Sequence, residues 1–94
     1  MKHCILAKWA GNVTDKAALL PQIRALMYPA STIPGVRGVE GYPCCVDRAN
    51  RYDLMIVLDM DKDALPNWDA SDIHHRWKDE YGGLLEKKAI FDYE

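Results

Sequence analysis

Apolar residues occupy both parities of "KHCILAKW" at positions 2–9, with His3, Ile5, Ala7 and Trp9 on one face and Cys4, Leu6 and Lys8 on the other. Side chains alternate across a strand, so this pattern predicts a strand covered on both sides. "GNVTDK" then predicts a turn and a helix start, with Thr14 as N-cap and Asp15 in the first turn. Leu19, Leu20, Ile23, Leu26 and Met27 follow at helical spacing and define one apolar face. Pro21 lies among them, and an interior proline costs about 3 kcal/mol, which predicts a late start or a kink. Two prolines and a glycine in "YPASTIPG" end the helix.

"VRGVEGYPCCV" predicts a second strand, weakened by Gly38, Gly41 and Pro43 and so expected at an edge or bulged. "DRAN" predicts a hairpin turn. "YDLMIVLDM" at 52–60 alternates most cleanly: Tyr52, Leu54, Ile56, Leu58 and Met60 share one face, Met55 and Val57 the other. It predicts a central strand. "DKDALPNWDA" predicts a short turn broken at Pro66. A helix starting at Ser71 is predicted to stop at Gly82-Gly83, and "KKAIFDYE" closes as a strand.

The order βαββαβ predicts an α+β, ferredoxin-like protomer occupying residues 1–94 as one domain, with both helices on one sheet face. Cys4, Leu6, Met55 and Val57 then leave the other face apolar. A patch of that kind predicts a homodimer formed through the sheet faces.

Composition narrows the partners. A net charge of -2, with basic residues scattered singly or in pairs, excludes a phosphate-binding stripe and hence a nucleic-acid module. No apolar run reaches the roughly 20 residues of a membrane span, and the first residues lack a signal-peptide core, so the expected home is cytoplasmic. Cys44 and Cys45, read as strand neighbours, point to opposite faces and are expected as reduced thiols, as is Cys4. Asp59, Asp61 and Asp63 have EF-hand-like spacing, but Ala64 and Ala70 stand where the loop needs glycine and glutamate. No Cys/His spacing resembles a zinc motif, so no metal is expected.

Candidate chemistry rests on histidines. Stepping about 100° per residue from Ile73 places His74 inside the stripe of Trp77, Tyr81, Leu84 and Leu85, while His75 points to water. In a βαββαβ sheet the first strand begins at the end where the third finishes and the second helix starts. His3 and His74 are thus expected at one end, in an apolar gap between sheet and helices, where Asp92 and Tyr93 also arrive. Burial there predicts a neutral imidazole able to take a proton. Trp68 and Trp77 read as core residues or as the floor of a pocket for a flat ligand.

The segments "KHCILAKW", "IPGV" (33–36), "RYDLMIVLDM", His74 and "IFDY" (90–93), in that order, resemble the stress-responsive α/β-barrel (Dabb) family over nearly the whole chain. That resemblance implies a ferredoxin-like protomer dimerising into an α/β-barrel. Within the family the sequence is similar to olivetolic acid cyclase, which closes a poly-β-keto chain by aldol condensation without a cofactor. The similarity implies His74 as catalytic base and His3 as a pocket histidine, with Ile5, Ala7, Ile56, Trp77 and Ile90 lining the site. Trp68 stands where the cyclase has a tyrosine whose hydroxyl partners the base, Ser71 replaces a further pocket histidine, and Pro21 and Gln22 replace aromatic lining.

Three functions follow as expectations. One is a cofactor-free lyase, cyclase or isomerase acting on a small carbonyl or aromatic compound, with His74 as base and His3 polarising. Another is a non-catalytic stress-response or ligand-binding dimer with His74 packed. The last is a cofactor-free monooxygenase of the dimeric α/β-barrel type.

Overall fold

A computed structural model describes residues 1–94. Strands β1 (Lys2–Trp9), β2 (Val36–Pro43), β3 (Leu54–Met60) and β4 (Leu85–Tyr93) form one sheet in the order β2-β3-β1-β4, every neighbouring pair antiparallel. Helix α1 (Lys16–Met27) joins β1 to β2, and α2 (Leu65–Asp69) and α3 (Asp72–Tyr81) join β3 to β4. No helix is long and apolar enough to cross a membrane.

The alternation in β3 holds throughout: Leu54, Ile56, Leu58 and Met60 are buried, and the residues between them are half-buried. They join Ile5, Ala7 and Trp9 of β1, Ile23, Leu26 and Met27 of α1, and Trp68, Trp77 and Tyr81 in a single core on the helix face. β2 is an edge strand with a register shift between Val36 and Gly38, in keeping with its glycines.

Local expectations are corrected at four places. The N-cap of α1 is Asp15, whose carboxylate accepts from the Ala18 amide at 3.2 Å, so the cap lies one residue after the predicted Thr14. α1 neither starts late nor breaks at Pro21, because Pro21 and Ala17, the carbonyl it leaves unbonded, both lie on the exposed face. Pro66 initiates α2 rather than breaking a turn: it occupies the first turn, where no intrahelical donor is needed. The fourth is the β2–β3 connection, a loop running from Cys44 to Asp53 rather than a four-residue turn.

Gly35 makes the turn into β2. Its φ of +85° favours glycine, and a Cβ there would come within 2.5 Å of the Ala64 Cβ. The close approach lets the Gly35 carbonyl accept from the Asp61 amide at 2.8 Å, tying the start of β2 to the end of β3.

Candidate functional site

Strand alternation sends His3 to the helix face, where it is 6% exposed, and the β1–β4 register sets it opposite Asp92. Its Nδ1–H donates to Asp92 Oδ1 at 2.5 Å. The Asp92 side chain is itself 37% exposed, so a buried imidazole is linked to a carboxylate that reaches solvent. A ring held this way at Nδ1 keeps Nε2 available for acid–base work.

His74 is positioned by the start of α3. Ser71 caps that helix: its hydroxyl accepts from the His74 amide at 3.1 Å and donates to the Trp68 carbonyl at 2.7 Å. The His74 Nδ1–H donates to the Asp69 carbonyl at 3.0 Å. Burial of this half-buried ring pushes its pKa below the ordinary value, opposed by the Asp69 carbonyl bond, and so favours the neutral ring; with Nδ1 carrying the proton, Nε2 is then an acceptor. His75 is exposed, its Nδ1–H bound to the Ser71 carbonyl at 2.7 Å.

Trp68 lies between the two imidazoles. Its ring centre is 6.5 Å from that of His3, edge-on, and 5.0 Å from that of His74 at a tilt of 42°. It is fully buried, and its Nε1–H is the buried side-chain polar atom that lacks a hydrogen-bond partner. An orphan donor of this kind costs about 1–3 kcal/mol.

The expected site residues therefore divide. His3, Trp68 and His74 come together, beside Ser71 in its capping role. Ile5, Ala7, Ile56 and Trp77 are core residues. Ile90 sits opposite Ile5 on edge strand β4 and is 48% exposed. A mostly apolar cleft of about 300 Å³ does open between sheet and helices, lined by Ile23, Met27, Tyr28, Val39, Glu40 and Ile56 among others. A second of about 340 Å³ lies along α1, with Trp9, Leu20, Ile23 and Leu54 in its wall. Ile56 is the expected site residue that lines the first of these clefts, and none lines the second; the histidines lie on the other side of the Ile5–Ile56 pair, toward β4.

Asp92 was legible only as a residue arriving at the histidine end; its bond to His3 needed the β1–β4 register. The signal for it was parity, since Asp92 shares a strand face with Ile90. The Asp69 carbonyl had no signal, because any residue type supplies one.

The sheet order, the antiparallel pairing and the helices on one face decide the architecture. The fold is ferredoxin-like. No protein-family model and no curated protein matches the chain. Solved structures match it over nearly its whole length. A dimeric ferredoxin-like protein of unknown function from Bacteroides fragilis is 16% identical with a TM-score of 0.80, covering 99% of this chain and 93% of its own. A Dabb family protein with a ferredoxin-like fold from Mesorhizobium loti is 18% identical with a TM-score of 0.71, covering 99% and 93%. A hydroxynitrile lyase from Passiflora edulis is 16% identical with a TM-score of 0.73, covering 98% and 89%. At such identities the shared property is the ferredoxin-like fold.

Proposed function

We propose that this protein is a Dabb-type homodimer that binds a small carbonyl or aromatic compound on the helix face of its sheet and acts on it by cofactor-free acid–base chemistry. The observation that carries the reading is the His3–Asp92 bond together with His74, both imidazoles anchored at Nδ1 and both against Trp68. His74, neutral, takes a proton from carbon next to a carbonyl. His3 gives a hydrogen bond to the carbonyl oxygen when its ring carries a second proton, and Asp92 compensates that charge. The Passiflora enzyme supports the reading to the extent that a protein of this fold is a lyase.

Dimerisation is supported by the open sheet face and by the description of ferredoxin-like neighbours as dimeric. Phe91, opposite Cys4, is 63% exposed there, with Tyr42 and Tyr93 about half exposed and Leu6, Met55 and Val57 half-buried. Contiguous apolar surface of this kind is characteristic of an interaction face.

A second reading, a ligand-binding dimer without catalysis, is favoured by Trp68, which fills the space between the imidazoles while the open clefts lie elsewhere. One experiment separates them. Small 1,3-dicarbonyl compounds are incubated with the protein in heavy water, and deuterium uptake at the central carbon is followed by NMR beside thermal-shift binding. Uptake above buffer that disappears in His74→Gln supports catalysis. Binding without uptake supports the second reading, and neither uptake nor binding removes both.

A further inference from the structure

At the sheet end opposite His3 and Asp92, the loop from Cys44 to Asp53 is tied down from several sides. The Cys44 amide donates to the Asp53 carbonyl at 2.9 Å, and the Asp53 amide to the Ala7 carbonyl at 2.9 Å. Lys8 Nζ donates to the carbonyls of Ala49 and Arg51, each at 3.0 Å. The Asp53 carboxylate is engaged twice, by Lys16 at 3.0 Å and by the Trp9 amide at 2.8 Å.

The loop walls a cavity of about 620 Å³ into which Cys44 and Cys45 both contribute. This corrects the expectation of opposite faces. β2 ends at Pro43, so strand alternation no longer governs the two residues, and both are exposed free cysteines. The other wall residues that bear charge are Lys8, Lys16, Arg48, Arg51, Asp47 and Asp53. With Lys16 and Asp53 paired together, Lys8, Arg48 and Arg51 have no carboxylate partner, and Asp47 is the acid left to oppose them. The cavity is thus a net-positive surface carrying two thiols.

We infer that this cavity is a thiol-exchange site for low-molecular-weight anionic disulfides, which dock their carboxylates on Arg48 and Arg51 and form a mixed disulfide with Cys44 or Cys45. A deprotonated cysteine sulfur attacks one sulfur of the disulfide. The external S–S bond breaks, a protein–ligand S–S bond forms, and the second half leaves as a thiolate that takes up the proton the cysteine released. The cysteine is oxidised and one half of the disulfide is reduced. Attack by the neighbouring cysteine, which would release the ligand, is disfavoured by geometry. Adjacent Cα atoms are about 3.8 Å apart, whereas disulfides prefer roughly 4.4–6.8 Å. The mixed disulfide is therefore the product that persists.

The test compares oxidised glutathione, an anionic disulfide, with cystamine, a cationic one, as reagents for the fully reduced protein, read by intact mass and peptide mapping. The ratio of their rates on the folded protein is divided by the ratio on the same protein in denaturant, which removes intrinsic reactivity. The expected result is a preference of about three-fold or more for the anionic reagent at low salt, with the adduct on Cys44 or Cys45. That preference falls toward unity in about 0.5 M salt and in an Arg48→Ala/Arg51→Ala variant. Cys44→Ser/Cys45→Ser loses the adduct. A folded-state ratio equal to the denatured ratio, a preference that survives removal of both arginines, or an adduct confined to Cys4 overturns the inference.

Discussion

His3 on the first strand and Asp92 on the last are joined Nδ1 to Oδ1 at 2.5 Å, across 89 positions of sequence. The bond fixes which ring nitrogen carries the proton. Asp92→Ala is expected to release that tautomer, seen as a change in the long-range proton–nitrogen correlations of the His3 ring. The loss of a charge-assisted bond to a buried ring costs about 1.5–3 kcal/mol, toward the lower end because Asp92 is part-exposed. An unchanged ring spectrum would show that the carboxylate does not set the tautomer.

Trp68 combines full burial with an unpartnered indole N–H. Trp68→Ala is expected to cost about 3–5 kcal/mol by opening the core. Trp68→Phe removes the orphan donor along with some volume, and the two effects oppose each other, so its cost is expected to be less than half that of the alanine variant. Urea denaturation measures both. Equal costs would mean that the N–H is satisfied.

His74 titrates below its ordinary value of 6.5 because burial disfavours the charged ring, with Lys78 and Lys88 adding to the effect and Asp69 opposing it. The unfolded chain then binds more protons than the folded one between the two pKa values. Stability from this residue is therefore complete above about pH 6.5 and falls as the pH drops toward the folded pKa. His74→Gln, which cannot charge, is expected to flatten the fall in Tm between about pH 6.5 and 5 relative to the parent. A parallel pair of Tm curves would locate the titration elsewhere.

Gly35 meets two separate demands, a left-handed φ and a close approach to Ala64. Gly35→Ala is expected to destabilise by about 2–4 kcal/mol, the sum of backbone strain and overpacking. A cost under about 1 kcal/mol in chemical denaturation would show that the turn relaxes freely.

The open sheet face makes a prediction about mass. Val57→Glu or Phe91→Glu introduces a charge among apolar neighbours and is expected to yield a folded monomer by light scattering, with the parent a dimer. Burial of an aromatic side chain contributes about 1.5–3 kcal/mol, enough to shift a dimer equilibrium more than ten-fold. A parent protein that runs as a monomer at all concentrations would refute the dimer.

The sequence by itself determined the elements and their inward faces. Leu54, Ile56, Leu58 and Met60 alternate because strand geometry forces it, and His74 and His75 separate because a helix turns about 100° per residue. Both rules are local and need no partner. Chain order added that His3, His74 and Asp92 share one end of the sheet. Tertiary structure alone decided the rest: the β1–β4 register that bonds His3 to Asp92, the placement of Trp68 between the imidazoles, and the separation of the apolar clefts from the histidines. Those outcomes depend on strand pairing between the two chain ends and on which side-chain volumes fill a shared space. The extent of β2–β3 pairing, which stops at Pro43, likewise turned Cys44 and Cys45 from strand neighbours on opposite faces into two residues in the wall of one cavity.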